Sequence, residues 1–182
     1  NLRMSETEWM EMLRNSDKRS EAVRLFIQEF QRPVYYYVRR MVLSHDDADD
    51  ITQTVFIKAW RGIDSFRGES KLSTWIFRIA HNECISFLRS SKKLLQVPAH
   101  EVEEKLGWAL QEDELFTGDV IQQRLQTAIA LLPEKQKAVF IMKYYQEMKY
   151  EAMSEITGTS VGALKASYHH AVQKIAAYLK RS

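Results

Sequence analysis

Two kinds of chemistry stand side by side in residues 45–91. Asp46, Asp47, Asp49 and Asp50 open the segment, and Lys58, Arg67, Lys71, Arg78 and Arg89 follow with Trp60, Phe66 and Trp75 threaded among them. Carboxylates clustered at one end can meet a basic protein surface. Cations interleaved with aromatic rings can hold phosphates while the rings stack on exposed bases. The four aspartates can also be read as the magnesium site of a nuclease, but a second carboxylate cluster, a general base and a Gly-rich phosphate loop do not accompany them. His81 and Cys84 have H-x-x-C spacing. Two ligands on one helix fall short of the three or four that zinc takes, so Cys84 reads as a core cysteine and no metal or cofactor is expected.

The elements that position these residues read as helices. Ile51, Val55, Phe56, Ala59, Trp60 and Ile63 form one apolar stripe at helical spacing, with Asp50, Gln53, Ile57 and Arg61 on the opposite face. Gly62 and Gly68 bracket a break, so residues 64–70 read as a loop. Leu72, Ile76, Ile79, Ala80, Ile85 and Leu88 make a second stripe, and Thr74, Arg78, Asn82 and Arg89 project from its polar side. Upstream, apolar residues from Ala22 to Val42 indicate one or two helices, and a short one precedes them around Trp9, Met12 and Leu13.

Composition supports this reading. With 6 glycines and 3 prolines in 182 residues, the turn punctuation that strands need is scarce. The single cysteine excludes an internal disulfide and fits a reducing compartment. No apolar run is long enough to span a bilayer and no signal peptide is evident, so a cytoplasmic protein without membrane insertion is expected. The net charge of +2 conceals strong segregation: residues 1–57 carry −2, residues 58–93 +5, residues 94–119 −6 and residues 120–182 +5. Residues 94–118 hold Pro98, Gly107 and most of that acidic charge, and they read as a linker between two domains, 1–93 and 119–182.

In the second domain, Ile121, Leu125, Ala128, Ile129 and Leu132 form a stripe, Pro133 opens the next helix, and Val139, Phe140 and Met142 continue it. Residues 150–178 then read as a helix-turn-helix. A short helix stops at Thr157-Gly158, and Ser160 caps a second helix with Val161, Leu164, Tyr168, Ala171 and Ile175 inward. Ser160, Gly162, Ala163, Lys165, Ala166, His169 and His170 face outward near its start, where a recognition helix meets a major groove. The same pattern also fits two packed helices with no ligand.

Taken together, DDITQTVFIKAW, IDSFRGESKLSTWIFRIAHN and LLPEKQKAVFIMKYYQEMKYEAMSEITGTSVGALK resemble, in order and spacing, the extracytoplasmic-function group of bacterial RNA polymerase sigma factors. The resemblance spans most of residues 20–178. It implies an all-α protein: a region-two helical bundle and a region-four helix-turn-helix domain joined by the acidic linker, which would enter basic channels of the polymerase as a nucleic-acid mimic. It implies a promoter-specificity subunit, not an enzyme in its own right, that recruits core RNA polymerase to promoter DNA, helps melt it, and answers to an anti-sigma factor.

By that resemblance, Asp50 and Gln53 match the D-x-x-Q pattern that binds the polymerase clamp, with Ile57 as an apolar contact. Lys58, Phe66, Trp75, Arg78 and Asn82 would receive the non-template strand of the minus-ten element. Ser160, Gly162, Ala163, Lys165, Ala166, His169 and His170 would meet the minus-thirty-five duplex. Where many relatives carry arginines after the lysine of this helix, Ser167 and His170 stand here, so base preferences do not carry over. A stand-alone helix-turn-helix regulator is the rival reading, and it would need neither the Asp50/Gln53 surface nor Trp75 and Asn82.

Overall fold

A computed structural model describes residues 3–94 and 120–181. Among them are eight α-helices and no strand: α1 (Glu6–Arg14), α2 (Arg19–Met41), α3 (His45–Gly62), α4 (Leu72–Leu94), α5 (Val120–Ala130), α6 (Glu134–Tyr144), α7 (Tyr150–Thr157) and α8 (Val161–Lys180). The acidic linker falls, from residue 95 on, outside the described residues.

Local side chains cap the starts of α1, α3 and α8. Ser5 and Glu8 form a reciprocal capping box on α1, and the Ser44 hydroxyl accepts the Asp47 amide at 3.1 Å to open α3. The start of α4 is capped from another helix: the Glu6 carboxylate of α1 accepts the Leu72 amide at 2.9 Å. The chain from Ala22 to Met41 is one helix rather than two, running unbroken through Pro33. An internal proline costs about 3 kcal/mol, and the burial of Phe26, Phe30, Val34, Tyr37 and Val38 along one face outweighs it. The expected loop after α3 begins as a 3₁₀ turn, Ile63–Ser65, before the chain becomes irregular.

In the first half, α2, α3 and α4 pack on one another around Trp9, Phe26, Phe30, Tyr37, Val55, Ile76 and Cys84, with α1 across α2. In the second half, α5, α6 and α7 all pack on α8, around Ile129, Ile141, Met142, Met153, Leu164 and Ala171. The halves are in contact: α7 lies across α4, and α6 and α5 sit on α2, so buried residues of both belong to one apolar cluster. None of the described helices is long and apolar enough to cross a membrane.

Three side chains sit differently from their sequence reading. Trp60, assigned to the inner stripe of α3, is 47% exposed, and Ile121 of α5 is 68% exposed, so each marks the edge of its stripe rather than the core. Thr74, assigned to the polar side of α4, is buried, on the helix against which α7 packs.

Candidate nucleic-acid and protein interfaces

On α3, the packing residues Ile51, Val55 and Ala59 face inward, and Asp50, Gln53 and Ile57 lie together on the exposed face at i, i+3 and i+7. Ile57 is 50% exposed, and Trp60 continues the same row one turn on. The spacing from Ile57 was the available signal for Trp60. The Arg19 guanidinium lies 5.5 Å from the Trp60 ring and pairs with Asp64. Asp46 and Asp47 occupy the first turn of α3, where carboxylates complement the helix dipole.

The basic-aromatic residues of α3, α4 and the segment between them are engaged to different degrees. Phe66 is 9% exposed, with its ring 5.5 Å from that of the half-buried Trp75. Lys58 forms an ion pair with Glu83 of α4, next to the exposed Asn82. Arg78 donates its Nε–H to the Glu155 carbonyl of α7 at 3.1 Å, so its charge is directed at the second half of the chain. Behind this face the core is apolar and titrates accordingly. Burial pushes the Cys84 thiol well above its usual range and raises the Tyr37 phenol. Burial, aided by the nearby Arg89, lowers His81 to about 4, and the His81 Nδ1 lies 3.0 Å from the Tyr37 hydroxyl. A neutral imidazole in the core thus accounts for the H-x-x-C spacing.

The helix-turn-helix has the expected construction. Gly158 takes the left-handed conformation (φ 72°) that ends α7, and its amide bonds the Ser154 carbonyl. Within the turn, the Thr157 hydroxyl accepts the Thr159 amide at 3.2 Å, and the Ser154 hydroxyl donates to the Thr159 carbonyl at 2.7 Å. Ser160 then accepts the Ala163 amide to start α8. Ser160, Gly162, Ala163, Lys165, Ala166, His169 and His170 are all exposed, while Leu164 and Ala171 are buried beneath them. A Cβ added at Gly162 would meet nothing within 4 Å, so no internal packing requires glycine there. Lys143 and Lys165 both approach the ring of Tyr150, the first residue of α7, at 4.5 and 5.7 Å.

A polar seam joins the halves, and nothing in the sequence pointed to it. The Arg40 guanidinium of α2 stacks 3.9 Å from the Tyr145 ring, and burial lowers its pKa although Tyr145 and Tyr36 act the other way. The Gln126 amide donates to the Arg40 carbonyl at 3.4 Å, and the buried Lys137 ammonium reaches the Met41 carbonyl at 3.5 Å. Arg89 of α4 pairs with Glu134 of α6 at 3.0 Å.

Comparison with known proteins gives this arrangement a family. The Sigma-70 region 2 family model matches residues 26–94, and the Sigma-70 region 4 model matches residues 122–175. The ECF RNA polymerase sigma-E factor of Escherichia coli (strain K12) is 31% identical over 163 residues, covering 85% of each chain. The RNA polymerase sigma factor YlaC of Bacillus subtilis (strain 168) is 25% identical over 155 residues, covering 85% of this chain and 90% of that one. Two solved structures share the fold. CnrH, in complex with the cytosolic domain of CnrY, aligns with a TM-score of 0.70 at 18% identity, covering 96% of both chains. RpoE of Bartonella quintana, in complex with the anti-sigma factor NepR, aligns at 0.65 and 23% identity, covering 86% of this chain and 98% of that one. With both regions present in order and a 31% identical relative matched over most of its length, this chain belongs to the ECF RNA polymerase sigma factors of the sigma-70 family.

Proposed function

We propose that this promoter-specificity subunit of RNA polymerase divides its work among three surfaces. Asp50, Gln53 and Ile57 meet the polymerase clamp. Lys58, Phe66, Trp75, Arg78 and Asn82 hold the melted minus-ten strand, and the exposed face at the start of α8 reads the minus-thirty-five duplex. The observation that carries this reading is the outward set from Ser160 to His170, which stands free of the core on a helix oriented by the Gly158 turn. Asn82 is accessible as it stands, and Lys58 is exposed but paired with Glu83. Arg78 becomes available to a phosphate once Glu155 releases it, so we place the separation of α7 from α4 on the path to the open promoter complex.

The domain limits that fit this division are 1–93 and 119–182, with the acidic linker, residues 94–118, between them. An anti-sigma factor is the natural regulator, since the RpoE relative was solved with one. Catalysis is left to the polymerase, and the cytoplasm is where the chain would meet it. Run-off transcription by core polymerase tests the reading: a specific transcript appears only when this chain is added. A chain that binds promoter duplex tightly by itself and yields no transcript with core polymerase would instead be a stand-alone regulator.

A further inference from the structure

The outward face of α8 has a small-residue middle and two basic edges. Gly162 and Ala166 run down the middle, with Lys165 and His169 along one edge and His170 and Lys174 along the other. Each edge pair is spaced i, i+4, and all six residues are exposed. The two imidazoles thus splay to either side of the small residues, with ring centroids 6.1 Å apart and planes inclined at 59°. Neither has a hydrogen bond or an ion pair among the described residues.

The surroundings supply no anion to them. α8 contains no acidic residue. Of the helices packed on it, α5 brings Arg124, which is bound to the carbonyls of Leu179 and Arg181. α6 brings Lys135, Lys137, Lys143 and Glu134, the last paired with Arg89, and α7 brings Glu151 and Glu155. None of these is bonded to either imidazole. Phenols do not titrate between about pH 6 and 8, which sets aside Tyr144, Tyr150, Tyr168 and Tyr178. In the outward set from Ser160 to His170, Lys165 is the one fixed cation. Most of the charge that this face can bring to phosphates therefore rests on two groups of the type that gains a proton near neutrality.

We propose that His169 and His170 make the grip on the minus-thirty-five duplex proton-dependent, each imidazole taking up a proton as it meets a backbone phosphate on its own wall of the major groove. The inference rests on the minus-thirty-five reading of α8. Gly162 and Ala166 let the helix axis come close to the groove floor, and that approach carries the two edges to the two walls. Protonation sets like charges one turn apart in Lys165–His169 and in His170–Lys174, a repulsion that phosphates offset in the complex. Proton and duplex therefore each favour the binding of the other. Acidification tightens the hold on the promoter, and alkaline conditions leave it to the lysines.

The test uses holoenzyme reconstituted with core polymerase and a fluorescent duplex that carries the minus-thirty-five element and stops short of the minus-ten one. Titrations at equal ionic strength are run at about pH 6 and about pH 8, which bracket the charge change of an imidazole. The unmodified chain should bind about tenfold more tightly at the acidic pH, the effect of one unit of proton linkage. Its log–log salt slope should steepen there by about 0.9 for each imidazolium on a phosphate. His169→Gln/His170→Gln should lose both pH effects, although His45, His81 and His100 remain. Calorimetry in two buffers of different ionisation enthalpy should show fewer protons taken up by that variant. Lys165→Ala, weakened at both pH values, is the control for the site. A glutamine variant that keeps the tenfold pH ratio, with Lys165→Ala still weakened, overturns the proposal and spares the minus-thirty-five reading. A glutamine variant weakened equally at both pH values makes the histidines neutral base contacts, which also overturns it. Full binding by Lys165→Ala would sink the minus-thirty-five reading and the proton linkage with it.

Discussion

The two halves of this sigma factor present their exposed residues in opposite ways. In the second half, the face of α8 from Ser160 to His170 stands outside the core, and Leu164 and Ala171 below it do the packing. In the first half, four of the five proposed minus-ten residues share their side chains with the fold: Phe66 is buried, Trp75 half-buried, Lys58 paired with Glu83 and Arg78 bonded to Glu155. Reading duplex DNA needs only donors and acceptors on a stable rod, whereas replacing the stacking of a melted base needs rings that are held rigidly. Substitutions in the second half should therefore report function cleanly, and those in the first half should mix function with stability.

The largest expected effect tests the mixed half. Phe66→Ala should lower unfolding free energy by about 3–5 kcal/mol, because it empties a core position beside Trp75; urea denaturation gives the value. A loss below about 1 kcal/mol would mean that the ring is not part of the packing and would erase the contrast. His81, on the same helix as Trp75, gives a pH signature of comparable size. Its folded pKa of about 4 lies below the ordinary 6.5, so the unfolded chain takes up a proton first. The stability contributed by the neutral ring is full above about pH 6.5, is lost as pH falls toward 4, and amounts to about 3 kcal/mol at most. Chemical denaturation across that window, with His81→Gln as reference, should show a slope that the variant lacks.

Smaller effects should separate function from fold. Asp50→Ala/Gln53→Ala should cost about 1–3 kcal/mol of core-polymerase affinity, the range for truncated interface residues. Thermal stability should hold, because both side chains lie off the packed face of α3; calorimetric titration and melting measure the two. Lys165→Ala should change stability by less than about 0.5 kcal/mol, since Lys165 is exposed. It should also lower the salt slope of minus-thirty-five duplex binding by about 1. The smallest change runs the other way: Gly162→Ala should raise stability by about 0.5–1 kcal/mol, as an added methyl meets open space in a helix. If it also weakens duplex binding, close approach of DNA is the reason for glycine at that position.

Much of the fold was legible because amphipathic periodicity names the face that a helix buries. Ile51, Val55 and Ala59 on α3 and Leu164 and Ala171 on α8 are inside as their spacing requires, and the caps at Ser160 and Gly158 were plain in the turn residues. Periodicity does not say how wide a face the neighbours cover. Trp60 and Ile121 fell beyond that edge, and Thr74 fell within it, on a helix packed against α7 from much later in the chain. Whether one helix or two spans Ala22 to Val42 was open in the sequence, because the cost of Pro33 is local and the burial that overrides it is not. The proposed sites were legible as residue types in order. The engagement of Lys58 and Arg78 was not, since the Arg78 acceptor is a backbone carbonyl that any residue at position 155 would supply.

That last property recurs at the end of α2, where the Arg40 and Met41 carbonyls receive Gln126 and Lys137 from the other half. A helix terminus leaves its final carbonyls unsatisfied, and here the partners arrive from across the seam. Melting of α5 and α6 would strip the far end of α2 of these donors, so the two halves should lose structure together. Calorimetry of the full chain should show one endotherm, with the van't Hoff and calorimetric enthalpies in agreement. Duplex DNA gripped by α8 should then raise the melting temperature of the half that carries Trp9, although no nucleotide touches it.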